Sequence, residues 1–395
     1  MKKIMILGAG VYQLPLIKKA RDLELHTIVV SPRGPYPGIP YADEFIEADT
    51  TDIENVLAHA RRIDIDAVLT TGTDVAVPTI GKIVEELGLR GTPYGPSLIS
   101  MDKTLMKKCL VDNNIPTARY FEFLSNETLN AQKAAEEIGY PVMVKASDSS
   151  GSRGVIKVNK SCNFAAAFST AAAHTRNNKV IVEQFLDGHE IGAQAVVIGD
   201  RVQAIYVHND TVSAPPTNTP VGHSIPCSLS DSLIERVKKV AELAIKSVGI
   251  TDTIVNVDLM IVDEMPFIIE LGARMGATCL PENISTFCDY DVYELLLNIS
   301  MGSAVLNEPA KMQPNASLLL TSERTGTIKS ITVPEHVKND SDLVQLNIDV
   351  KPGDYVRTFK VGPDRLGDVV VKGASAELAE KKARQLASEI IFEVN

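Results

Sequence analysis

Two acidic residues in a predicted β-hairpin could bind a divalent metal ion. Residues 254–262 and 267–271 are apolar runs on either side of a polar turn, a pattern that predicts two antiparallel strands. With the turn centred at Glu264, Asp258 faces Glu270 directly, with β-carbons about 5 Å apart. Two carboxylates on otherwise apolar strands repel and desolvate each other, and a cation removes that conflict. Mg²⁺ favours one or two carboxylates plus phosphate oxygens, so the pair predicts a magnesium site, with a solvated sheet face or another register as the alternatives.

Arg274 lies four residues after Glu270, within a segment that contains two glycines. A guanidinium at this spacing beyond a metal-binding carboxylate is well placed to hold a phosphate or a developing acyl-phosphate. Because lone arginines usually pair with a surface acid, the assignment depends on the two carboxylates. Together the three side chains predict phosphoryl chemistry.

A loop rich in serine and glycine could bind a polyphosphate. The predicted strand 141–146 leads into this loop and the strand 155–158 leaves it. A Walker loop would contain Gly-Lys-Ser/Thr and enter a helix, so this is a different element. Lys145 ends an apolar strand, so its ammonium is expected in a sheltered place that needs an anion. A mobile hairpin tip is the alternative. The loop's backbone N–H groups, hydroxyls and guanidinium are donors for phosphate, and they come from Ser149, Ser150, Gly151, Ser152, Arg153 and Gly154.

The segment 183–190 joins two further predicted strands. Its main chain can offer N–H and C=O groups to the edge of an adenine ring, and Glu190 could accept hydrogen bonds from ribose hydroxyls. Nearer the N-terminus, Gly8-Ala9-Gly10 follows the first strand, but Gln13 replaces the third glycine of a dinucleotide motif and no acid ends the second strand. A tight turn in a Rossmann-like sheet is therefore the favoured interpretation, and the turn could still hold a small anionic substrate.

The pattern of predicted elements divides the chain into three parts. Residues 1–97 alternate strands and helices, which predicts a small open parallel sheet, and a Gly/Pro cluster at 91–97 marks the boundary. Residues 98–310 begin with a predicted helix, 100–113, and continue with hairpin strands and a few more helices, an α+β pattern. Residues 311–395 form a small third block, which mixes predicted strands at 317–321, 327–333 and 369–372 with a final helix at 376–390.

Composition excludes several classes of protein. The net charge of −11 argues against general nucleic-acid binding, which needs a basic surface, but leaves room for a local pocket for one nucleotide. No apolar run is long enough to span a membrane. The five cysteines are scattered and lack a Cys-x-x-Cys pair, so we expect reduced thiols in the cytoplasm, with neither disulfides nor a structural zinc site.

Together these motifs resemble the ATP-grasp superfamily, in the branch of biotin carboxylase, carbamoyl-phosphate synthetase, the purine-pathway carboxylate–amine ligases and the L-amino-acid ligases. The resemblance implies an α/β plus α+β architecture: a Rossmann-like pre-ATP-grasp domain (1–97), an ATP-grasp domain (98–310, lid about 115–182) and a C-terminal α+β domain (311–395) that completes the active site. The motifs that match are Asp102-Lys103 before Asn114–Thr117, Pro141–Lys145, the loop to Gly154, Val182–Leu186 with Glu190, and Asp258 before Glu270–Arg274.

The resemblance also implies roles for these residues. Asp258 and Glu270 bind Mg²⁺, with Mn²⁺ as an alternative metal, and Arg274 steadies the acyl-phosphate. Gly272 stands where biotin carboxylase has a metal-binding Asn, so a second Mg²⁺ is expected to be held differently or weakly. The expected ATP contacts are Lys103 (Lys107 as the lesser candidate) and Lys145 to phosphates, the serine–glycine loop closing over them, Glu183, Gln184, Phe185 and Leu186 at adenine, and Glu190 at ribose.

The implied reaction is ligation through an acyl-phosphate. A carboxylate attacks the γ-phosphate of ATP, ADP leaves, and an amine then displaces phosphate to form a C–N bond. Substrate identity is expected to depend on residues near Tyr36, Thr73-Asp74 and the turn 274–283. His223, in the proline-rich stretch 215–226, is a further candidate for contact with substrate, against the alternative of a surface-loop histidine. The alternatives are a purine-pathway enzyme acting on a ribonucleotide, a carbamoyl-phosphate-synthetase-like enzyme, and a non-catalytic ATP-binding module. A homodimer is expected at the level of the family.

Overall fold

A computed structural model describes residues 1–213, 219–306, 309 and 311–395. The predicted domain boundary at residue 310 and part of the proline-rich stretch 215–226 lie outside the described residues. The strands are β1 (Lys3–Leu7), β2 (His26–Ser31), β3 (Glu44–Glu47), β4 (Ala67–Leu69), β5 (Tyr120–Leu124), β6 (Val142–Ala146), β7 (Val155–Val158), β8 (Lys179–Gln184), β9 (His189–Ile198), β10 (Arg201–Val212), β11 (Pro220–Ile225), β12 (Thr253–Val262), β13 (Met265–Gly272), β14 (Asn315–Leu320), β15 (Gly326–Thr332), β16 (Leu343–Ile348), β17 (Tyr355–Val356), β18 (Gly367–Lys372) and β19 (Ile391–Val394).

The helices alternate with these strands through the first third of the chain and are sparser afterwards. They are α1 (Leu14–Asp22), α2 (Ile53–Ile63), α3 (Val77–Leu87), α4 (Tyr94–Met101), α5 (Lys103–Asp112), α6 (Thr128–Ile138), α7 (Phe164–Ala172), α8 (Asp231–Val248), α9 (Leu280–Cys288), α10 (Val292–Met301), α11 (Glu335–Lys338) and α12 (Ala376–Glu389). In the part of the chain that the structure describes, no helix is both long and apolar enough to cross a bilayer.

The chain forms two compact units. One comprises 1–205, 231–275 and 296–304, and the other comprises 206–230, 276–295 and 305–395. The predicted division into three domains remains a prediction.

The first unit begins with a parallel sheet in the order β3-β2-β1-β4. Its strands are apolar and buried, and α2 and α3 contribute to the same core. This is the predicted open parallel sheet, although the short strand β3 was not predicted from the sequence. The predicted helix 100–113 is two helices, because Asp102 has an extended backbone and its carboxylate accepts from the backbone N–H groups of Thr104 and Leu105, which caps α5.

Two antiparallel sheets of the first unit position the candidate site. One has the order β5-β8-β6-β7, and its apolar face packs on α6 and α7. The other contains β9, β12 and β13, with β12 paired to both neighbours. Along β12 the residues alternate between an apolar face, which includes Val255, Val257 and Leu259, and a face that carries Asn256 and Asp258.

The second unit has a sheet in which β11, β14, β18 and β16 are neighbours, and residues 209–212 of β10 pair with β11. Helix α12 packs on β14 and β18. A three-stranded sheet, β17-β15-β19, adds Ile328 and Val356 to the same core. Strands β14, β15 and β18 and helix α12 were predicted; β16, β17 and β19 were not.

Candidate active site

Asp258 and Glu270 are direct partners in the antiparallel pairing of β12 with β13. The predicted pairing is confirmed, but the predicted turn centre is wrong. The turn consists of two residues, Asp263 and Glu264, both with positive φ, and Val262 pairs with Met265. That register alone would place Asp258 opposite Ile269. An irregularity between Asp258 and Leu259 shifts the register by one residue and brings the two carboxylates onto one face.

This face of the sheet is polar from one strand to the next. Glu190 on β9 pairs with Met260, two residues beyond Asp258, so it shares the face with both carboxylates. The Asn256 amide donates to Asp258 Oδ1 over 2.9 Å, and the Gln194 amide donates to Asn256 Oδ1 over 2.5 Å. Three acids and two amides therefore lie together on one face of the sheet. Their oxygen atoms are hard ligands of the kind that Mg²⁺ prefers.

Lys103, the first residue of α5, reaches this face. Its side chain is 6% exposed, and its Nζ donates to Glu270 Oε1 over 3.1 Å and to the backbone oxygen of Ser149 over 2.7 Å. Burial acts to lower the pKa of Lys103, but the charge of Glu270 and the hydrogen bond to it outweigh burial and raise it. One ammonium therefore joins the candidate metal carboxylate to the serine–glycine loop.

A second cluster lies one turn along α5. Lys107 donates to Thr117 Oγ1 over 2.6 Å and lies 3.0 Å from Glu183 Oε2, while Lys145 contacts Glu183 Oε1. Lys145 and Glu183 share a face because Met143 is the register partner of Glu183. All three charged side chains are buried. Burial acts to raise the pKa of Glu183, but the two lysines outweigh it and lower the pKa to about 2, whereas burial lowers the pKa of Lys107.

Geometry therefore brings Lys107, the lesser candidate from the sequence, into the same cluster as Lys145. It places the Glu183 carboxylate between two ammonium groups, an arrangement that the sequence did not predict. The adenine role assigned to Glu183 remains a prediction. Three lysines converge around two acids, Glu183 and Glu270, and phosphate oxygens are the ligands that such a set of cations would attract.

The serine–glycine loop runs between β6 and β7 as predicted. Asp148 anchors it by accepting from the backbone N–H groups of Arg176 and Asn177 and from the Thr175 hydroxyl. Gly154 has φ +68°, and a Cβ there would lie 2.8 Å from the Cβ of His174, so glycine is required. Ser149 and Ser150 are half-buried, while Gly151, Ser152 and Arg153 are exposed, and Arg153 Nε donates to the Ser150 oxygen over 3.0 Å.

The predicted adenine segment links β8 to β9. The Gln184 N–H donates to the Arg119 oxygen over 2.8 Å, and Leu186 is buried. Lys157 Nζ lies 3.4 Å from the centre of the Phe185 ring, a cation–π contact. Glu190 is exposed. The adenine and ribose roles of this segment remain predictions.

Arg274 pairs with a buried acid rather than a surface one. Its Nη2 donates to Asp74 Oδ2 over 2.8 Å, and its Nε lies 2.7 Å from Asp74 Oδ1. Burial acts to lower the pKa of Arg274, but Asp74 first, and then Asp258 and Glu270, outweigh it and raise the pKa. The sequence marked Thr73-Asp74 for substrate but did not predict this ion pair, because the partners are 200 positions apart.

His223, the remaining predicted site residue, belongs to the second unit. It lies in β11 and is 4% exposed, so the alternative of a surface-loop histidine is wrong. Its Nδ1 lies 2.6 Å from Asp210 Oδ1, and His208 Nδ1 lies 2.9 Å from the same oxygen. Burial acts to raise the pKa of Asp210, but the two histidines outweigh it and lower it. The sequence missed this cluster, for which His-x-Asp on one strand of a hairpin is the available signal.

The ligand atoms of these three side chains lie within 4.8 Å of one another, a spacing that is compatible with a metal ion. Their short mutual hydrogen bonds account for the arrangement equally well. Within the described residues, the Nε2 of His223 is buried without a hydrogen-bond partner. Its predicted contact with substrate stays a prediction.

The fold and the carboxylate–lysine site define an ATP-grasp enzyme, a class that uses ATP with Mg²⁺, and comparison with known proteins agrees. The chain belongs to the family described as "Carbamoyl-phosphate synthase L chain, ATP binding domain", whose model matches residues 102–304. Residues 318–395 match a second model, "L-amino acid ligase C-terminal domain 2".

Individual relatives and solved structures are similar to this chain over different lengths. A D-alanine–D-alanine ligase from Herminiimonas arsenicoxydans is 30% identical over 51% of this chain and 63% of that ligase. The structure of a phosphoribosylglycinamide synthetase from Anaerococcus prevotii is 28% identical with a TM-score of 0.83, and both chains are covered in full. The structure of an L-amino acid ligase from Bacillus licheniformis is 19% identical with a TM-score of 0.85, covering 100% of this chain and 99% of that one.

These findings confirm two of the predictions made from the sequence. The fold is that of the ATP-grasp superfamily, and the enzyme class is an ATP-dependent ligase that joins a carboxylate to an amine with release of ADP.

Proposed function

We propose that this chain activates the carboxylate of an amino acid with ATP and Mg²⁺ and couples it to the amino group of a second small molecule. The observation that carries the proposal is the pairing of Asp258 with Glu270 on a polar sheet face that also receives the ammonium of Lys103. The match of residues 318–395 to an L-amino acid ligase domain supports the substrate class.

The residues of the first unit divide into two groups under this proposal. Lys103, Lys107 and Lys145 hold the ATP phosphates, and the serine–glycine loop covers them. Asp258 and Glu270 hold Mg²⁺, and two same-face carboxylates beside amide oxygens fit that ion. Bound there, Mg²⁺ neutralises charge on the phosphate oxygens.

The reaction then proceeds in two displacements. A carboxylate oxygen of the first substrate attacks the γ-phosphorus, the bond to the β,γ-bridging oxygen breaks, and ADP leaves. The neutral amine of the second substrate attacks the acyl carbon, the C–O bond to phosphate breaks, and the amine loses a proton as the amide forms. Arg274 holds the phosphoryl oxygens in both steps. The loop excludes water, which would otherwise hydrolyse the acyl-phosphate.

A ribonucleotide substrate is the second candidate, because the similar structure from Anaerococcus prevotii is that of a phosphoribosylglycinamide synthetase. A phosphoribosyl group needs an anion site, and the turn after β1 is the place where the sequence leaves room for one. In the structure the Gln13 amide occupies that turn: it accepts from the Gly10 N–H over 3.0 Å and donates to the Thr71 oxygen. A neutral side chain thus uses the donor that a phosphate would need, which favours amino acids.

A screen of substrates tests the proposal. We expect phosphate release from Mg·ATP with pools of amino acids, and a product whose mass is the sum of both substrates less one water. Asp258→Asn should lower the rate about a hundredfold or more. Asp263→Asn is the matched control, because Asp263 is exposed in the turn of the same hairpin and its positive φ suits Asn. Turnover with ribonucleotides alone, or unchanged turnover in Asp258→Asn, would contradict the proposal.

Three further expectations accompany it. His223 contacts the substrate, the C-terminal domain completes the site, and the enzyme is a cytoplasmic homodimer. Size-exclusion chromatography with light scattering measures the last of these directly.

A further inference from the structure

Asp74 and Arg274 form an ion pair that is largely buried and has two points of contact. The Nε and Nη2 of the guanidinium face the two carboxylate oxygens at 2.7 and 2.8 Å, and the side chains are only 14% and 12% exposed. Arg274 Nη1 also donates to the Met275 oxygen over 3.3 Å. Nη1 and Nη2 together carry four N–H groups, and these two hydrogen bonds use one from each nitrogen, so two are left to address an anion.

The loop that carries Asp74 is fixed to the segment that carries Arg274. The Gly72 N–H donates to the Met275 oxygen over 3.0 Å, and Thr71 forms an isolated parallel bridge with Met275. The backbone on both sides of the ion pair is therefore held in register. Asp74 is only two residues from the bonded Gly72, and Arg274 directly precedes Met275.

Gly272 explains how the carboxylate fits. A Cβ built on Gly272 would lie 2.7 Å from Asp74 Oδ1, closer than real contacts allow. The φ of Gly272 is not in the left-handed region, so the backbone itself does not demand glycine. Space demands it. Gly272 pairs with Asn256 and shares the polar face with Glu270, so Asp74 fills the volume that a side chain at 272 would take beside the metal carboxylates.

We propose that Asp74 is a positioning residue for Arg274. We further propose that glycine at position 272 leaves the space that the Asp74 carboxylate needs to reach the guanidinium. The proposal rests on the proposed function, because the anion that Arg274 addresses is the transferring phosphoryl group. The Asp74 carboxylate, which comes from another part of the first unit, thus lies where a side chain at position 272 would be. Both of its oxygens face Arg274, so it orients the arginine rather than binding the metal.

An unfolding cycle tests the spatial part of this proposal independently of activity. Gly272→Ala should lower the Tm of the full chain, because the new methyl collides with Asp74. In an Asp74→Ala background, Gly272→Ala should lower the Tm by less than half as much, because the carboxylate with which the methyl collides is absent. Gly95→Ala is the matched control, because no atom of the residues that the structure describes lies within 4 Å of a Cβ at Gly95. If Gly272→Ala lowers the Tm equally in both backgrounds, Gly272 and Asp74 do not compete for the same space, and this part of the proposal is wrong.

Nucleotide-dependent stabilisation tests the positioning part. Mg·ADP with aluminium fluoride, a mimic of the transferring phosphoryl group, should raise the Tm of the wild type beyond Mg·ADP alone. Asp74→Asn should keep the Mg·ADP shift and lose most of the additional fluoride-dependent shift. In turnover it should lower kcat about a hundredfold with little change in the KM for ATP.

Two results would overturn the proposal. One is a full fluoride-dependent shift in Asp74→Asn, and the other is loss of the Mg·ADP shift, which would make Asp74 a metal ligand. A wild type that Mg·ADP does not stabilise would instead refute the proposed function, and the unfolding cycle would still decide whether Asp74 and Gly272 compete for the same space.

Discussion

Lys103 donates a hydrogen bond to Glu270 over 3.1 Å, although 167 positions separate the two residues. The helix expected to bind ATP phosphates is thereby joined to the strand expected to bind Mg²⁺. Under the proposed function, a divalent cation competes with the Lys103 ammonium for the Glu270 carboxylate, and phosphate oxygens compete with Glu270 for Lys103. Binding of Mg·nucleotide is therefore expected to replace the Lys103–Glu270 contact by a contact of Lys103 with phosphate and a contact of Glu270 with the metal ion.

Replacing Lys103 separates these two contacts. Lys103→Met should weaken Mg·ADP binding about tenfold or more, because it removes a charge-assisted bond to phosphate. The same change should strengthen binding of Mn²⁺ alone, because Glu270 is released. Calorimetry measures both. Lys108→Met is the control on the same helix, since Lys108 is exposed and pairs with Asp112. Parallel weakening of Mn²⁺ and Mg·ADP binding would contradict the exchange.

Glu183 neutralises two buried lysines, so its loss should be costly. Glu183→Gln leaves Lys107 and Lys145 without their shared carboxylate, and removing one partner of a buried ion cluster typically destabilises by about 3–5 kcal/mol. Chemical denaturation measures the change. Glu235→Gln, which breaks the exposed pair with Lys238, should leave the midpoint unchanged. A midpoint for Glu183→Gln equal to that control would show that the cluster does not stabilise the fold.

The same carboxylate predicts a dependence of stability on pH. The folded pKa of Glu183, about 2, lies below its ordinary value of 4.5, so the unfolded chain binds the proton more readily. The stabilisation is complete above pH 4.5 and is lost as pH falls toward 2. Between those values Glu183→Gln should show a flatter decline than the wild type. Parallel profiles would place the acid sensitivity elsewhere.

His223 should remain neutral below the pH at which an ordinary histidine is protonated. Burial lowers its pKa, although Asp210 acts in the opposite direction and the nearby His208 reinforces burial. Since the unfolded chain then binds more protons near pH 6, stability should fall as pH drops through that range. Nitrogen-detected NMR of the imidazoles reports the protonation directly. An imidazolium signal from His223 at pH 6.5 would contradict this account.

Patterns of local sequence sufficed for the parts of the site that lie on single hairpins. Lys145, the serine–glycine loop and the pair Asp258–Glu270 all follow from alternation and turn chemistry. Even there the register depended on an irregularity beside Asp258, which no propensity indicates and which compensated for a misplaced turn centre.

Contacts that join distant segments could not be predicted in this way. Arg274 meets Asp74 and Lys107 meets Glu183 only because the topology brings separate elements together. His223 and Asp210, in contrast, are register partners on neighbouring strands, and the sequence analysis missed their signal. Short strands such as β3 and β17 were missed because a few residues carry no readable period. The break before α5 depended on one capping side chain, that of Asp102, within an otherwise helical pattern.

Binding of Mn²⁺ with ADP to the two carboxylate variants tests the central claim most directly. We expect paramagnetic resonance to show nucleotide-dependent Mn²⁺ binding in the wild type and in Asp263→Asn. In Asp258→Asn and Glu270→Gln it should be weakened about a hundredfold, while the Tm in the absence of ligand stays within a few degrees of the wild type. Wild-type Mn²⁺ affinity in both carboxylate variants would contradict the account, because the metal would then be bound elsewhere.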